Sequence, residues 1–172
     1  KVRRLGIIDL GSNSVRLIII DVDERNAHHQ IENIKETVRL SSSLDAQGNL
    51  GEEAMEYAVE TVGLFVRFCQ ARKVDRILAV ATAAVRNAPN GKELIERIQA
   101  RTGVKIQVLS GEEEAYLGYI GLVNSTPLTN GLIADFGGGS VKLSSFEDRL
   151  SSSSMVYEFG VVSLAERFSL MD

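Results

Sequence analysis

Asp135, Gly137, Gly138, Gly139 and Ser140 stand in the run Leu132-Ile-Ala-Asp-Phe-Gly-Gly-Gly-Ser-Val-Lys-Leu143: an apolar stretch, a carboxylate, three glycines, a hydroxyl and a second apolar stretch. This order predicts a strand, a tight turn and a return strand, with glycine supplying the left-handed φ values such a turn is expected to demand. Successive glycines also leave backbone N–H groups uncovered, so the turn can wrap an anion, and Asp135 beside it can hold the cation that accompanies phosphate. The chemistry indicated is phosphate binding. The run is not a P-loop, because Gly-Lys-Ser/Thr does not follow the glycines, and it is not a dinucleotide fingerprint, because no Gly-x-Gly-x-x-Gly is present and no helix follows.

The same pattern occurs 126 residues earlier without gaps, in Ile7-Ile-Asp-Leu-Gly-Ser-Asn-Ser-Val-Arg-Leu17. Asp9 matches Asp135, Gly11 matches Gly137, Ser14 matches Ser140, Val15 matches Val141, Leu17 matches Leu143, and Arg16 aligns with Lys142, basic against basic. A single glycine hairpin is an ordinary feature. Two that share the order Asp, Gly, Ser, Val, basic, Leu point to two related lobes, each presenting a turn.

The elements that must position these turns follow from periodicity. Lys1–Leu5 lead into a first strand, its return strand is expected over Val15–Val22, and a third strand at about Gln30–Leu40 follows a turn at Asp21–Asn26. His28 and His29 are adjacent and point to opposite faces of a strand, so they cannot share a metal and are read as surface residues. Met55, Val59, Val62, Phe65, Val66 and Cys69 recur at helical spacing in a helix of about Gly51–Arg72, which packs on the sheet. Arg76–Ala81 is a short apolar strand, and Thr82 and Arg86 lie just past its carboxyl end, where ligands sit in α/β sheets. Arg86 is by itself equally well read as a solvated helix residue. Asn90 is expected to cap a helix of Gly91–Arg101, followed by a strand at Lys105–Leu109. Ser110 and Glu113 form a capping box for a helix that runs to about Val123, which accounts for Glu113 and leaves Glu114 for another task. The polar link Asn124–Asn130 contains one of only two prolines and is the expected domain boundary, giving a first lobe 1–124 and the beginning of a second 125–172. Phe159-Gly-Val-Val-Ser163 opens a last helix with Leu164, Ala165 and Phe168 on one face.

Composition narrows the function. The chain has 172 residues and a net charge of −4, which argues against a general nucleic-acid binder with its basic face. High aliphatic content without Trp suits an α/β protein. Cys69 is the only cysteine, so no internal disulfide forms, and it is read as core. The aliphatic run Leu17–Ile20 is too short to cross a membrane, so no membrane partner is indicated and a cytoplasmic protein is expected. The chain stops before the second lobe could bury its hairpin, which marks the sequence as a piece of a longer protein, expected to be inactive alone.

With these motifs assembled, the chain resembles the N-terminal part of the exopolyphosphatase / guanosine pentaphosphate phosphatase family, within the superfamily of actin, sugar kinases and heat-shock ATPases. The resemblance rests on Ile8–Ser14, Ala81–Arg86, Ser110–Ala115, Asp135–Ser140 and Phe159–Ser163. It implies an α/β fold, a ribonuclease-H-like lobe with a mixed β-sheet flanked by helices plus the start of a similar lobe, the two hairpins being opposed phosphate loops. It implies hydrolysis of a terminal phosphoanhydride in inorganic polyphosphate or guanosine pentaphosphate, with Mg2+ as cofactor and a homodimer as the full-length state. Carried over by position, Glu114 is the catalytic base and Arg86 the phosphate-contacting arginine. Asp9 and Asp135 lie near the metal, and Gly11, Ser12, Asn13, Ser14 and Gly137, Gly138, Gly139, Ser140 form the phosphate cradle. The family usually carries a glutamate where this chain has Lys142, so either Lys142 binds phosphate directly or its side chain points away. Ser41–Ser43 stands where relatives tend to carry glycine. The Lys142 departure keeps a second reading in view, a sensor that binds polyphosphate or a guanosine alarmone without turnover. A superfamily kinase is the third, and the Ser110–Ala115 segment speaks against it.

Overall fold

The structure is a computed structural model that describes residues 2–168. It divides into two compact units, Lys1–Val108 and Leu109–Asp172.

In the first unit β1 (Arg3–Leu10), β2 (Ser14–Val22) and β3 (His28–Thr37) form an antiparallel meander, and β4 (Arg76–Ala81) and β5 (Ile106–Val108) add in parallel, giving the order β3-β2-β1-β4-β5. The period-2 alternation of a strand decides what faces what. Ile8 and Leu10 are fully buried whereas Asp9 between them is exposed, and their cross-strand partners Leu17 and Val15 are buried on the same face. Against that face lies α1 (Glu52–Ala71), through Met55, Val59, Val62, Phe65, Val66 and Cys69, and α3 (Gly91–Thr102), through Leu94 and Ile98. Each such side chain contributes roughly 1.5–3 kcal/mol on burial. Arg97 joins the two helices, its guanidinium bonding Glu52 Oε2 at 3.0 Å and Glu93 Oε1 at 3.1 Å.

Two local expectations are corrected here. The third strand runs His28–Thr37 rather than Gln30–Leu40, because the Asp23 carboxylate accepts from the N–H groups of Arg25 (2.8 Å) and Ala27 (2.9 Å) and ends the turn early. Asn90 precedes α3 but makes no side-chain cap bond. Its amide instead clips Leu50, accepting from Leu50 N–H at 2.8 Å and donating to Leu50 O at 3.0 Å.

The second unit holds α4 (Gly111–Ser125), a three-stranded antiparallel sheet of β6 (Gly131–Phe136), β7 (Val141–Glu147) and β8 (Leu150–Tyr157), and α5 (Val161–Arg167). Tyr119 and Val123 of α4 pack on Phe146 of β7, with Ile133 of β6 alongside. Asp148 and Arg149 form the two-residue β7–β8 turn with φ of 49° and 62°, the signature of a primed hairpin turn. That turn is tied to the helix: Arg149 donates to the carbonyls of Thr126 (2.9 Å), Leu128 (3.1 Å) and Val123, and Tyr119 Oη donates to Arg149 O at 2.7 Å. These contacts explain why the compact unit begins at Leu109 and not at the polar link after residue 124. The link lies inside the second unit because α4 finds its apolar partners there.

Candidate phosphate-handling site

In the first unit, the turn between β1 and β2 closes by a hydrogen bond from Gly11 N–H to Ser14 O at 3.0 Å. Two carbonyls of the turn are held from outside. Ser12 O accepts from Ser41 N–H at 2.9 Å, and Asn13 O accepts from Val38 and Arg39 N–H, both at 2.9 Å. No peptide bond among the described residues is cis, so in each of these planar units the N–H points opposite the C=O. The N–H groups of Asn13 and Ser14 are therefore aimed away from the segment that braces the turn. The Ser41–Ser43 3-10 turn, an odd place for serines by resemblance, is part of that brace.

The parallel pairing of β1 with β4 brings the other first-unit residues to the same end of the sheet. Leu10 pairs with Ala81, and Thr82 N–H donates to Leu10 O at 3.2 Å. There α2 (Ala83–Asn87) begins, and Arg86 N–H donates to Thr82 O at 2.9 Å. The structure thus gathers Asp9, the Gly11–Ser14 turn and the helix carrying Arg86 at one edge. Asp9 is exposed, Arg86 is half-buried and Ser12 is buried.

The second unit repeats the turn. Gly137 N–H donates to Ser140 O at 2.9 Å, the counterpart of Gly11 to Ser14. Its carbonyls are braced as well: Val161 N–H donates to Gly137 O at 3.0 Å and Val162 N–H to Gly138 O at 3.1 Å. By the same planar geometry the N–H groups of Gly138 and Gly139 face away from α5. Two corrections follow. Gly11 and Gly137 use their N–H groups to close the turns and so are not anion donors. Neither is left-handed, the left-handed glycines among the described residues being Gly48 and Gly103. What the turn requires is closeness, since a Cβ on Gly137 would stand 2.9 Å from Ser140 O.

Strand register sets the charged side chains of this unit. Asp135 lies directly across from Lys142, as Asp9 lies across from Arg16 in the first hairpin. Phe146 is two pleats beyond Lys142 on the same face, the face that α4 covers, so Glu114 in the first turn of α4 arrives over Lys142. The capping box forms as expected: Ser110 Oγ accepts from Glu113 N–H at 3.1 Å and Glu113 Oε2 from Ser110 N–H at 2.8 Å. Glu114 is not left over, however. Its carboxylate forms an ion pair with Lys142 Nζ, which also donates to Asp135 Oδ2 at 3.3 Å. Lys142 is only 3% exposed. The side chain does not point away: it turns inward onto two carboxylates.

That arrangement bears on Mg2+. Magnesium is held by one or two carboxylates with room for water and substrate oxygens. In the first unit Asp9 is an exposed carboxylate beside the turn. In the second unit Asp135 and Glu114 do not meet this requirement, because an ammonium lies against both. Among the described residues no group of three or more His, Cys, Asp or Glu side chains converges to hold a metal.

Sequence reasoning gave no role to two glycines that position the site. A Cβ on Gly160 would fall 2.3 Å from Gly137 O, so only glycine lets α5 reach the turn it braces. A Cβ on Gly91 would fall 1.9 Å from Val85 O, so the start of α3 fits against the helix that carries Arg86 only with glycine here. Gly160 lies within Phe159–Ser163, quoted for its resemblance, but its target is distant in sequence and leaves no local signal.

A meander joined to parallel strands in the order 3-2-1-4-5, with a second glycine hairpin opening a further sheet, defines the actin-like ATPase class of α/β fold. Residues 18–172 match the Ppx/GppA phosphatase family, and the chain belongs to that family. It is 33% identical over 147 residues to exopolyphosphatase 1 of Mycobacterium leprae, covering 84% of this chain and 43% of that protein. The crystal structure of an exopolyphosphatase from Cytophaga hutchinsonii superposes with a TM-score of 0.90 at 31% identity, over 96% of this chain and 54% of that one. The Ppx/GppA family member from Aquifex aeolicus gives 0.84 at 27% identity, over 98% and 55%. The chain therefore spans about half the length of the proteins it matches. No helix among the described residues is long and apolar enough to cross a membrane.

Proposed function

We propose that the intact protein hydrolyses the terminal phosphoanhydride of inorganic polyphosphate, releasing orthophosphate, with guanosine pentaphosphate as a second substrate. The observation that carries this reading is the pair of identically closed turns, each braced at its carbonyls so that two consecutive N–H groups face the opposite way. Such paired amides suit the oxygens of a phosphate chain. The mycobacterial relatives named exopolyphosphatase 1 favour the polymer as the main substrate.

In the reaction, water attacks the terminal phosphorus, the bond to the bridging oxygen breaks, and the water proton passes to Glu114. General-base assistance of this kind contributes typically 10²–10⁴-fold. Arg86 offers a planar fork for phosphate oxygens, and the turn amides spread the charge of the transferred group. Lys142 fixes the orientation of the Glu114 carboxylate. The test is orthophosphate release by the intact protein from polyphosphate and from guanosine pentaphosphate; absence of release from both refutes the reading. The ion pair that engages Glu114 favours one alternative, a polyphosphate sensor, for which calorimetry would show tight binding without turnover.

A further inference from the structure

We infer that Lys142 is the resident cation of the second hairpin: its ammonium occupies the place between Asp135 and Glu114 that a divalent cation would need, so this hairpin engages phosphate without a metal bridge. The inference rests on the proposed substrate class and goes beyond it, to how the substrate's charge is met.

Three observations carry it. The cross-strand register puts Lys142 opposite Asp135, and its buried stem cannot swing to solvent without leaving the face that α4 covers. The ammonium is bound to both carboxylates of the unit that a metal could use, Glu114 through an ion pair and Asp135 at 3.3 Å. It also lies under the glycine turn, 3.6 Å from where a Cβ of Gly137 would stand. A lysine ammonium has three donors; two are spent on these carboxylates, and the third is left for a phosphate oxygen. A dication placed at the same carboxylates would meet the like charge of the ammonium at contact distance, with the Glu114 side of the site largely closed to water. Lysine is a well-suited point charge for phosphate.

The test uses the intact protein, with Mn2+ as the metal probe read by electron paramagnetic resonance and tripolyphosphate as the anion probe read by calorimetry. The parent is expected to bind Mn2+ no more tightly than on the order of 1 mM, and to bind tripolyphosphate in EDTA. Lys142→Met should weaken tripolyphosphate binding by about tenfold or more, in EDTA and in Mg2+ alike. Lys142→Glu should gain a Mn2+ site and bind tripolyphosphate only when metal is present. A parent that binds Mn2+ at or below about 0.1 mM, or that binds tripolyphosphate only with Mg2+, overturns the inference. A parent that binds no tripolyphosphate under either condition overturns the substrate reading instead, and the Mn2+ arm still decides the role of Lys142. Both decisive parent measurements stand even if a variant fails to fold.

Discussion

Removing the charge of Lys142 while keeping its stem is the sharpest structural perturbation. In Lys142→Met the volume is nearly conserved, so packing loss stays below about 1.5 kcal/mol. The electrostatic part divides unequally. The side chain of Asp135 is 51% exposed, so water screens that pair and its share is under about 1 kcal/mol. The side chains of Lys142 and Glu114 are 4% and 17% exposed, so deleting the ammonium removes the ion-pair partner of a largely buried carboxylate, a class of change that costs about 3–5 kcal/mol. Because Glu114 keeps some contact with water, the lower end applies, and Lys142→Met should lose about 3 kcal/mol. Glu114→Gln, which leaves Lys142 with Asp135, should cost roughly 1–2 kcal/mol. In the double variant both partners of that ion pair are neutral, so the two losses should fall short of additivity by about 2 kcal/mol. Native-state hydrogen exchange of amides in α4 and β7 reads the opening free energy of this unit separately from the rest. A Lys142→Met value within about 0.5 kcal/mol of the parent, or additive losses in the double variant, would refute the reasoning.

Gly91→Ala should displace the helix that carries Arg86, since the new methyl would stand 1.9 Å from Val85 O, and thermal melts should show a loss of about 1–3 kcal/mol. Arg149→Ala strips donors from the carbonyls of Val123, Thr126 and Leu128 and keeps a φ of 62°; hydrogen exchange in α4 should register a loss of about 2–3 kcal/mol, and Arg149→Gly should be milder by about 1 kcal/mol because glycine accepts that φ. The forked bond from Arg4, 2.8 Å to each Asp21 oxygen, holds the Asp21 carboxyl below the ordinary aspartate range. A lowered folded value means the pair stabilises above the unfolded pKa of about 3.9 and loses that contribution as pH falls through the folded value. Asp21→Asn should accordingly be the less stable protein in urea melts at pH 7, with the gap closing in acid.

How much of this was legible in the sequence depends on the reach of each contact. The two hairpins, the Ser110–Glu113 capping box and the burial of Cys69 were readable because turn chemistry, capping and helical periodicity act over a few residues. The pairing of Asp135 with Lys142 was not read, because it is set by the closure of the turn between Phe136 and Val141 and not by alternation within one strand. Asn90 was misread because a helix-start residue was assigned its commonest partner, whereas its amide serves Leu50, 40 residues away. The brace on the glycine turn came from Val161 and Val162, whose apolar side chains say nothing about their N–H groups. The inward turn of Lys142 required knowing that α4 packs on β7, a pairing with no periodic signal. A polar, proline-containing link marks a loop, and only the packing of Tyr119 and Val123 on Phe146 shows with which compact unit α4 goes.

The proposal of a phosphoanhydride hydrolase stands most directly on Glu114. Orthophosphate release from polyphosphate should be measured with the intact protein and with Glu114→Gln at saturating substrate. A fall of about 100-fold or more, with tripolyphosphate still bound by the variant, is the expected result. A variant that hydrolyses as fast as the parent would contradict the account.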